Sequence, residues 1–580
     1  MAEPASESGT LPGVRMAPPD DAPAHPAHAA RTIRIVAEGS QRAAPRARTA
    51  PSPRTAADAQ PYRAYRPAPF TRAERGQVTV LFGGLHWRVE RLLQGTLENL
   101  GHRAQILPTA TLADLMAGRE AADIGQCSPT SFTTGNLANF LRGEAKQLGA
   151  DEVARRYLYV TAGSCGACRF GQYHQSYELA LRHAGLESFR MFLLGQDGID
   201  QGAAPGGGLE LNLPMTLGAV WSIVLSDVIQ DLEYRVRPYE RHAGETDRVA
   251  RAAIDDLHRL FRERPQRGGR GVGNALWHLG TRYFVDAMKD VRRRFDAIEL
   301  DRLRVKPLVK ITGEFYLQTV EGEPNHHIHR WLEGEGAEVY PAAITVWLDY
   351  LMRLAVQDNE DRIGIKRGAR RNAGALRLAQ RLLRWTHGRM RGALGGAPRA
   401  LPPQEELRAL AAPWFHSRLN GGEGDMLVGK ALWAHLHHKA HMICELSPYS
   451  CMPNTMSVGA MAGVLGKHPD LLYAPIEIKG DAEVHALSRC QMVLTEARKR
   501  AQREYDGVLQ RIGLTEPQLR EIAARHPQLQ RATAVIPHQG VAGTAANFAL
   551  HLASLRGQGR KKPAVAKGTA ATADAKAAQA

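Results

Sequence analysis

Cysteine is scarce here: six residues in a chain of 580, too few for a disulfide framework at this size. In a reducing compartment, cysteines gathered at turns point instead to metal or redox chemistry. A secretory leader is also lacking, since Met1 is followed by Glu3, Glu7 and several prolines, with no apolar segment before Arg31. No apolar run reaches bilayer-spanning length; the best, Leu213–Val228, is interrupted by Pro214, Ser222 and Ser226. Together these absences predict a soluble, cytoplasmic protein with no membrane partner. A nucleotide P-loop is missing as well. The nearest approach, Gly424 to Gly429-Lys430, continues with Ala431 where the motif requires a magnesium-binding hydroxyl, and no Lys follows the glycine run 206–208. No period marks a repeat architecture.

What is abundant is positive charge, +16 overall, which at first suggests nucleic acid. Its distribution argues otherwise. Residues 1–75 carry 11 Lys/Arg against 7 Asp/Glu and residues 556–580 carry 6 against 1, so the two ends hold +4 and +5. The remaining excess is spread thinly and focuses on no face, so no nucleic-acid partner is expected. The same ends are low in complexity. Residues 1–75 are an Ala/Pro/Arg-rich leader and residues 556–580 a Lys/Ala tail; neither can bury enough apolar surface to order itself, and both are expected to be disordered.

Between them the pattern is that of an α/β protein with two Rossmann-like parallel-sheet units and a helical insertion. The first unit is expected over 76–240. Val78–Phe82 is an apolar run ending in Gly83-Gly84, and Trp87–Leu100 is helical to Gly101. Ala104–Leu107, Tyr157–Thr161 and Phe189–Leu194 are further strands, with helices at Leu137–Leu148 and Phe170–His183. A helical connector covers 241–305, with Arg235–Glu240 as a proline-bearing break before it. A second unit over 306–555 starts with a strand at Leu308–Ile311, followed by a helix at Asn325–Leu332 and a strand at Glu338–Tyr340. Ile344–His416 is a helical excursion, Ile476–Ile478 a short strand, Ala482–Arg503 a helix, Thr533–Ile536 a last strand and Ala545–Leu555 a last helix.

Four cysteines fall in turn-like settings. Cys127 sits in Gly-Gln-Cys-Ser-Pro-Thr ahead of a helix; Cys165 and Cys168 form Ser-Cys-Gly-Ala-Cys-Arg between a strand and a helix; Cys451 sits in Ser-Pro-Tyr-Ser-Cys-Met-Pro-Asn. Thiolates of a metal cluster favour turns rich in backbone N–H donors, and the helix after Cys165 is expected to lower its thiol pKa. A dithiol redox pair, a zinc site and inert buried cysteine all stay open on spacing alone. Cys490, on a helix face, and Cys444 are read as buried and inert.

Long motifs narrow this. GQVTVLFGGLHW, GQCSPTSFTTGNLANFLRGEAKQLG, YLYVTAGSCGACRFGQYHQSYELALRHAGLESFRMFLL and YRVRPYE, then KITGEFYLQTVEGEPNHHIHRWLEGEGAEVY, YSCMPNTMSVGAM and VAGTAANFALHLA, occur in that order. They resemble the dehydratase-like module of acyl-CoA dehydratase activase-related proteins, kin to 2-hydroxyacyl-CoA dehydratases and benzoyl-CoA reductases. The resemblance covers most of residues 76–555. It implies a [4Fe-4S] cluster held by one cysteine from each of three loops, Cys127, Cys165 and Cys451, with Cys168 as an additional thiol; a double-cubane cluster is the other form it allows. It implies radical dehydration or reduction of an acyl-CoA-type substrate, through a ketyl radical. The low-potential electron would come from an ATP-dependent activase, necessarily a separate chain given the missing P-loop. Homo- or heterodimeric assembly stays open, as does a non-catalytic electron-relay or redox-sensing role.

Other groups are candidates on their own chemistry. Glu314, at a strand end in Gly313-Glu314-Phe315, is either an acid/base or a helix cap. Arg169, beside Cys168, either balances cluster charge, holds a phosphate or faces solvent. His437 and His441 share one face if the segment is helical, and His326, His327 and His329 are dense, but neither set carries a full metal-site motif. The charged loop Ile476 to Glu483 either faces substrate or is solvated.

Overall fold

Short apolar runs closed by glycine build two parallel sheets with the same strand order. The computed structural model describes residues 68–121, 125–163, 168–195, 198–199, 207–265, 272–419 and 422–558. In the first half, β1 (Thr79–Phe82), β2 (Arg103–Ile106), β3 (Tyr157–Ala162) and β4 (Arg190–Gly195) run parallel in the order β2-β1-β3-β4; β5 (Gly198–Ile199) turns back antiparallel on β4. In the second half, β6 (Leu308–Gly313), β7 (Glu338–Tyr340), β8 (Met442–Pro448) and β9 (Tyr473–Ile478) are all parallel in the order β7-β6-β8-β9. Each order reverses once, between β1 and β3 and between β6 and β8. A crevice opens beyond the carboxyl ends of the strands at such a reversal.

The expected α/β architecture of two Rossmann-like units is therefore present. Several boundaries differ from the sequence reading. β8 went unread, because Met442–Pro448 follows directly on a helix ending at Leu436 and looked like its continuation. No strand forms at Thr533–Ile536, where Thr533 is instead held by the Asp296 carboxylate through its N–H and hydroxyl (2.9 and 2.7 Å). Residues 68–75, assigned to the leader, pack on the first half. Phe70 is fully buried, Thr71 bridges Gly207, and Glu74 pairs with Arg190 at 2.7 Å. The leader up to residue 67 and the tail from residue 559 lie outside the described residues.

One helix ties the halves together. Leu213–Val236 starts at Asn212, whose side chain caps Met215 N–H at 3.0 Å, and Pro214 sits harmlessly in its first turn. It is the one helix among the described residues long and apolar enough to cross a membrane, yet 61% of the stretch with that property is buried inside the protein. Its outer half carries Asp227, Gln230, Asp231 and Glu233, all buried. Each finds a protein partner. Glu233 accepts two bonds from the fully buried Arg88 (2.8 and 2.6 Å), which also reaches Glu321 of the second half at 2.7 Å. Asp231 holds Arg399 at 2.7 Å.

The carboxyl edges of the sheets meet across this core. Ser128 Oγ donates to the Ile478 carbonyl at 3.0 Å, and Arg119 pairs with Asp481 at 2.8 Å. Gly480 has φ +91°, and a Cβ there would stand 2.3 Å from Leu115 of the first half. The loop after β9 thus clasps the halves through Gly480 and Asp481, while the side chains of Glu477, Lys479, Asp481 and Glu483 are exposed, as the solvated reading expected.

Removing one partner of a buried pair strands the other charge, which costs about 3–5 kcal/mol. Arg88→Met is expected to lower the denaturant midpoint by an equivalent amount, because Glu321 loses its ion-pair partner and Glu233 keeps only Arg237. A shift of under about 1 kcal/mol would show that these carboxylates do not depend on it.

Candidate metal centre and its neighbouring cavity

Both crevices at the strand-order reversals face the same region, and cysteines stand at their rims. Cys127 is the N-cap of helix Ser128–Leu148, Cys451 the N-cap of helix Met452–Lys467, and Cys168 the N-cap of the short 3-10 turn Arg169–Gln172 that leads into helix Tyr173–His183. All three have extended backbone at the cap, so each helix begins immediately after its sulfur. Pro129 and Pro453 in the first turns fix those starts. A helix start presents unpaired N–H groups and the positive end of the dipole, the environment an anionic sulfur favours.

The three sulfurs lie within electrostatic reach of one another: Cys168 feels Cys127, and Cys451 feels both. Each also has polar neighbours. Cys127 Sγ lies 3.1 Å from the Tyr173 hydroxyl and 3.2 Å from that of Thr130. Cys168 Sγ accepts from Phe170 N–H at 3.4 Å, and Cys451 Sγ donates to Asn454 Oδ1 at 3.4 Å. Arg169 ties two of the loops together by donating to the Gly125 carbonyl, which answers its sequence assignment: it braces the cysteine loops. Cys165 lies outside the described residues, three positions before Cys168 in the same loop.

Glu314 completes the group. Its side chain caps helix Phe315–Thr319 by accepting from Leu317 N–H at 2.9 Å, as the helix-cap reading expected. It also sits close enough to raise the pKa of Cys168 and Cys451. Burial, chiefly, pushes Glu314 up to about 7, with Glu423 adding to it. Burial pushes the Cys168 thiol up to about 12 and Cys451 higher still, with Glu314 and the neighbouring thiols contributing. The lowered pKa expected for this loop is therefore not found at its described thiol. A four-residue turn supplies too little dipole to offset burial beside like charges.

Acids crowded this way need protons between them, or a cation in their place. The donor set fits a thiolate-bound metal or iron–sulfur group: three sulfurs from three separate loops, each at a helix start and each with an additional polar contact. Among the described residues no group of three acidic, histidine or cysteine side chains is already arranged as a closed metal site.

The remaining sequence candidates fall elsewhere. Cys444 and Cys490 touch in the core of the second half, where contact with Cys490 and burial raise Cys444, so the inert reading fits them. His437 closes its helix and His441 precedes β8, so they share no helical face. His326 and His327 take left-handed backbone angles ahead of helix Ile328–Gly334, which breaks the expected helix there.

A small cavity unread in the sequence lies beyond the tyrosines that neighbour Cys127. Gly83, Gly84, Glu90, Thr133, Tyr159 and Tyr316 line it, at the carboxyl end of β1. Edge-to-face phenols connect it to Cys127: Tyr173 meets Tyr177 and Tyr177 meets Tyr159, with ring centroids 6.4 and 5.7 Å apart. Burial pushes Glu90 up to about 7 against the opposing pull of the Leu85 and Gly84 N–H groups. The available signal was a carboxylate one turn into the helix that follows the Gly83-Gly84 turn.

Glu90 gives a pH dependence whose sign is fixed. Its folded pKa lies above its ordinary value of 4.5, so the folded state binds the proton more tightly. Stability from this group is full below about 4.5 and falls as pH rises through about 7. Glu90→Gln is expected to flatten that part of the decline in urea midpoints between pH 4.5 and 8, and an unchanged slope would show Glu90 ionised throughout. The chain matches no protein-family model and no curated protein, so a functional reading stands on this site.

Proposed function

We propose that the chain is an iron–sulfur enzyme component of the 2-hydroxyacyl-CoA dehydratase type. In this reading it uses a low-potential cluster for radical dehydration or reduction of an acyl-CoA-type substrate in the cytoplasm, with electrons supplied by a separate ATP-dependent activase. The observation that carries the reading is that Cys127, Cys168 and Cys451, each at the start of a helix or 3-10 turn beside the crevices, lie within electrostatic reach of one another. Cys165, in the loop of Cys168, is the second ligand by resemblance, and [4Fe-4S] is the cluster that three such loops suit.

When bound, such a cluster supplies one-electron chemistry and an iron position open to substrate. The chain's own residues do the rest. The helix starts and the Tyr173 and Thr130 hydroxyls offset negative charge at sulfur. Glu314, whose carboxyl burial pushes up to about 7, can hold a proton next to the sulfurs and exchange it.

Anaerobically purified protein is expected to hold about four irons and matching acid-labile sulfide, with an EPR signal on reduction. Cys127→Ala and Cys451→Ala should each abolish the signal, whereas Cys165→Ala and Cys168→Ala identify which thiol of the shared loop is the ligand. Zinc in place of iron, or a cluster that survives loss of Cys127 and Cys451, would overturn the reading.

A further inference from the structure

Two lysines are buried without a hydrogen bond or an ion pair among the described residues, with Glu423 and Glu445 acting on Lys430 only from beyond ion-pair distance. Lys310 lies in the middle of β6, a strand buried along its whole length, and Lys430 lies on helix Gly424–Leu436 packed over that strand. They are 5% and 4% exposed. Lys310 Nζ rests 3.5 Å from the centroid of the Tyr340 ring. Among the described residues neither ammonium makes a hydrogen bond, and neither has a carboxylate within ion-pair distance.

Both line one pocket, together with Gln318, Tyr340, Trp347 and His387. The acids in the pocket wall are already committed. Asp231 holds Arg399, and Asp227 accepts from the Ile344 and Thr345 N–H groups and the Thr345 hydroxyl at 3.2, 2.6 and 2.5 Å. Gln318 Oε1 is likewise buried without a partner. An ammonium removed from water without a partner is costly, and two facing one space repel each other. Burial drives Lys430 down to about 8 and Lys310 well below its ordinary value, with Lys430 adding to the effect on Lys310. The cavity volume is about 40 Å³, roughly three water-sized spheres at ~10–15 Å³ each, which suits one carboxylate or phosphate group.

We propose that this pocket is a binding site for an oxyanion, a carboxylate or a phosphate group, seated between Lys310 and Lys430. It goes beyond the proposed cluster chemistry and does not depend on it. Trp347 separates the two regions: its indole N–H donates to Glu423 at 3.0 Å and its ring lies 4.6 Å from that of Phe315, the residue after Glu314.

Calorimetric titration of the full chain with inorganic phosphate and, separately, with acetate tests this, with chloride at matched ionic strength as control. Saturable binding of at least one of the two is expected, and the tighter probe assigns the source as phosphate ester or carboxylate. Lys310→Met and Lys430→Met should each weaken that binding about tenfold or more, the scale of a lost charge-assisted hydrogen bond. Relieved of a buried charge, both variants should melt at or above the wild-type temperature without anion. Should either melt lower, Lys430→Gln carries the binding comparison. Failure of both probes to saturate the wild type, or equal affinity in the lysine variants, overturns the proposal. Because the readout is anion binding, it stands or falls separately from the iron content.

Discussion

Arg88 has no access to solvent, and three elements far apart in the sequence depend on where its charge goes. It spans Glu233 on the central helix and Glu321 beyond the first helix of the second half. Arg237 extends the network from Glu233 to Glu333 and Asp247. A buried ion pair adds little stability over an apolar substitute, but its geometry is exacting, because a misplaced partner leaves a naked charge. Helix Leu213–Val236 is otherwise an apolar cylinder that would pack in many rotations. Its row of acids admits the one in which Arg88 and Arg399 are both met. The facing of the two sheets follows from that choice.

With the halves so placed, the shared strand order does the rest. In each sheet the second-laid strand lies outside the first and the third returns to its other side, so each half opens its crevice at equivalent strands. Cys168 follows β3 and Cys451 follows β8, the corresponding strand of the other half. Glu314 ends β6 and the Gly83-Gly84 turn ends β1. The chemistry-bearing groups thus converge from four strand ends, and Cys127 joins them because Ser128 is bonded to the end of β9.

What was legible in the sequence is what short-range physics controls. Apolar runs closed by glycine marked β1, β3 and β6, and Glu338–Tyr340 was read to the residue, since backbone burial on both faces demands such runs. The turn-like settings of Cys127, Cys168 and Cys451 were legible, but the helix starting at Ser128 was read only from Leu137 and the helix that Cys451 caps went unread. β8 was not, because its histidine-rich approach carries a helical spacing that ends only where His438 takes a left-handed angle. Pro214 misled in the other direction, as a proline in a first turn does not interrupt a helix. Lys310 drew no reading from the sequence, and Lys430 entered only as part of an incomplete P-loop match. Their isolation depends on which acids are engaged elsewhere, a long-range property that no window of sequence contains.

The lysine pocket and the cysteines are joined by a buried carboxylate. Glu445, on β8, is fully buried and accepts from Asn454 at 3.1 Å, Ser457 at 2.9 Å and Tyr473 at 2.9 Å. Asn454 and Ser457 stand in the first turns of the helix that Cys451 caps, and Asn454 also meets the Cys451 sulfur. Lys430 is among the charges acting on Glu445, and burial raises that carboxyl while those three bonds and Lys430 draw it back. The charge on Lys430 therefore bears on the group that positions the start of the Cys451 helix. An anion held at Lys430 would weaken that pull, and the path from there to the sulfur is two hydrogen-bonded side chains long.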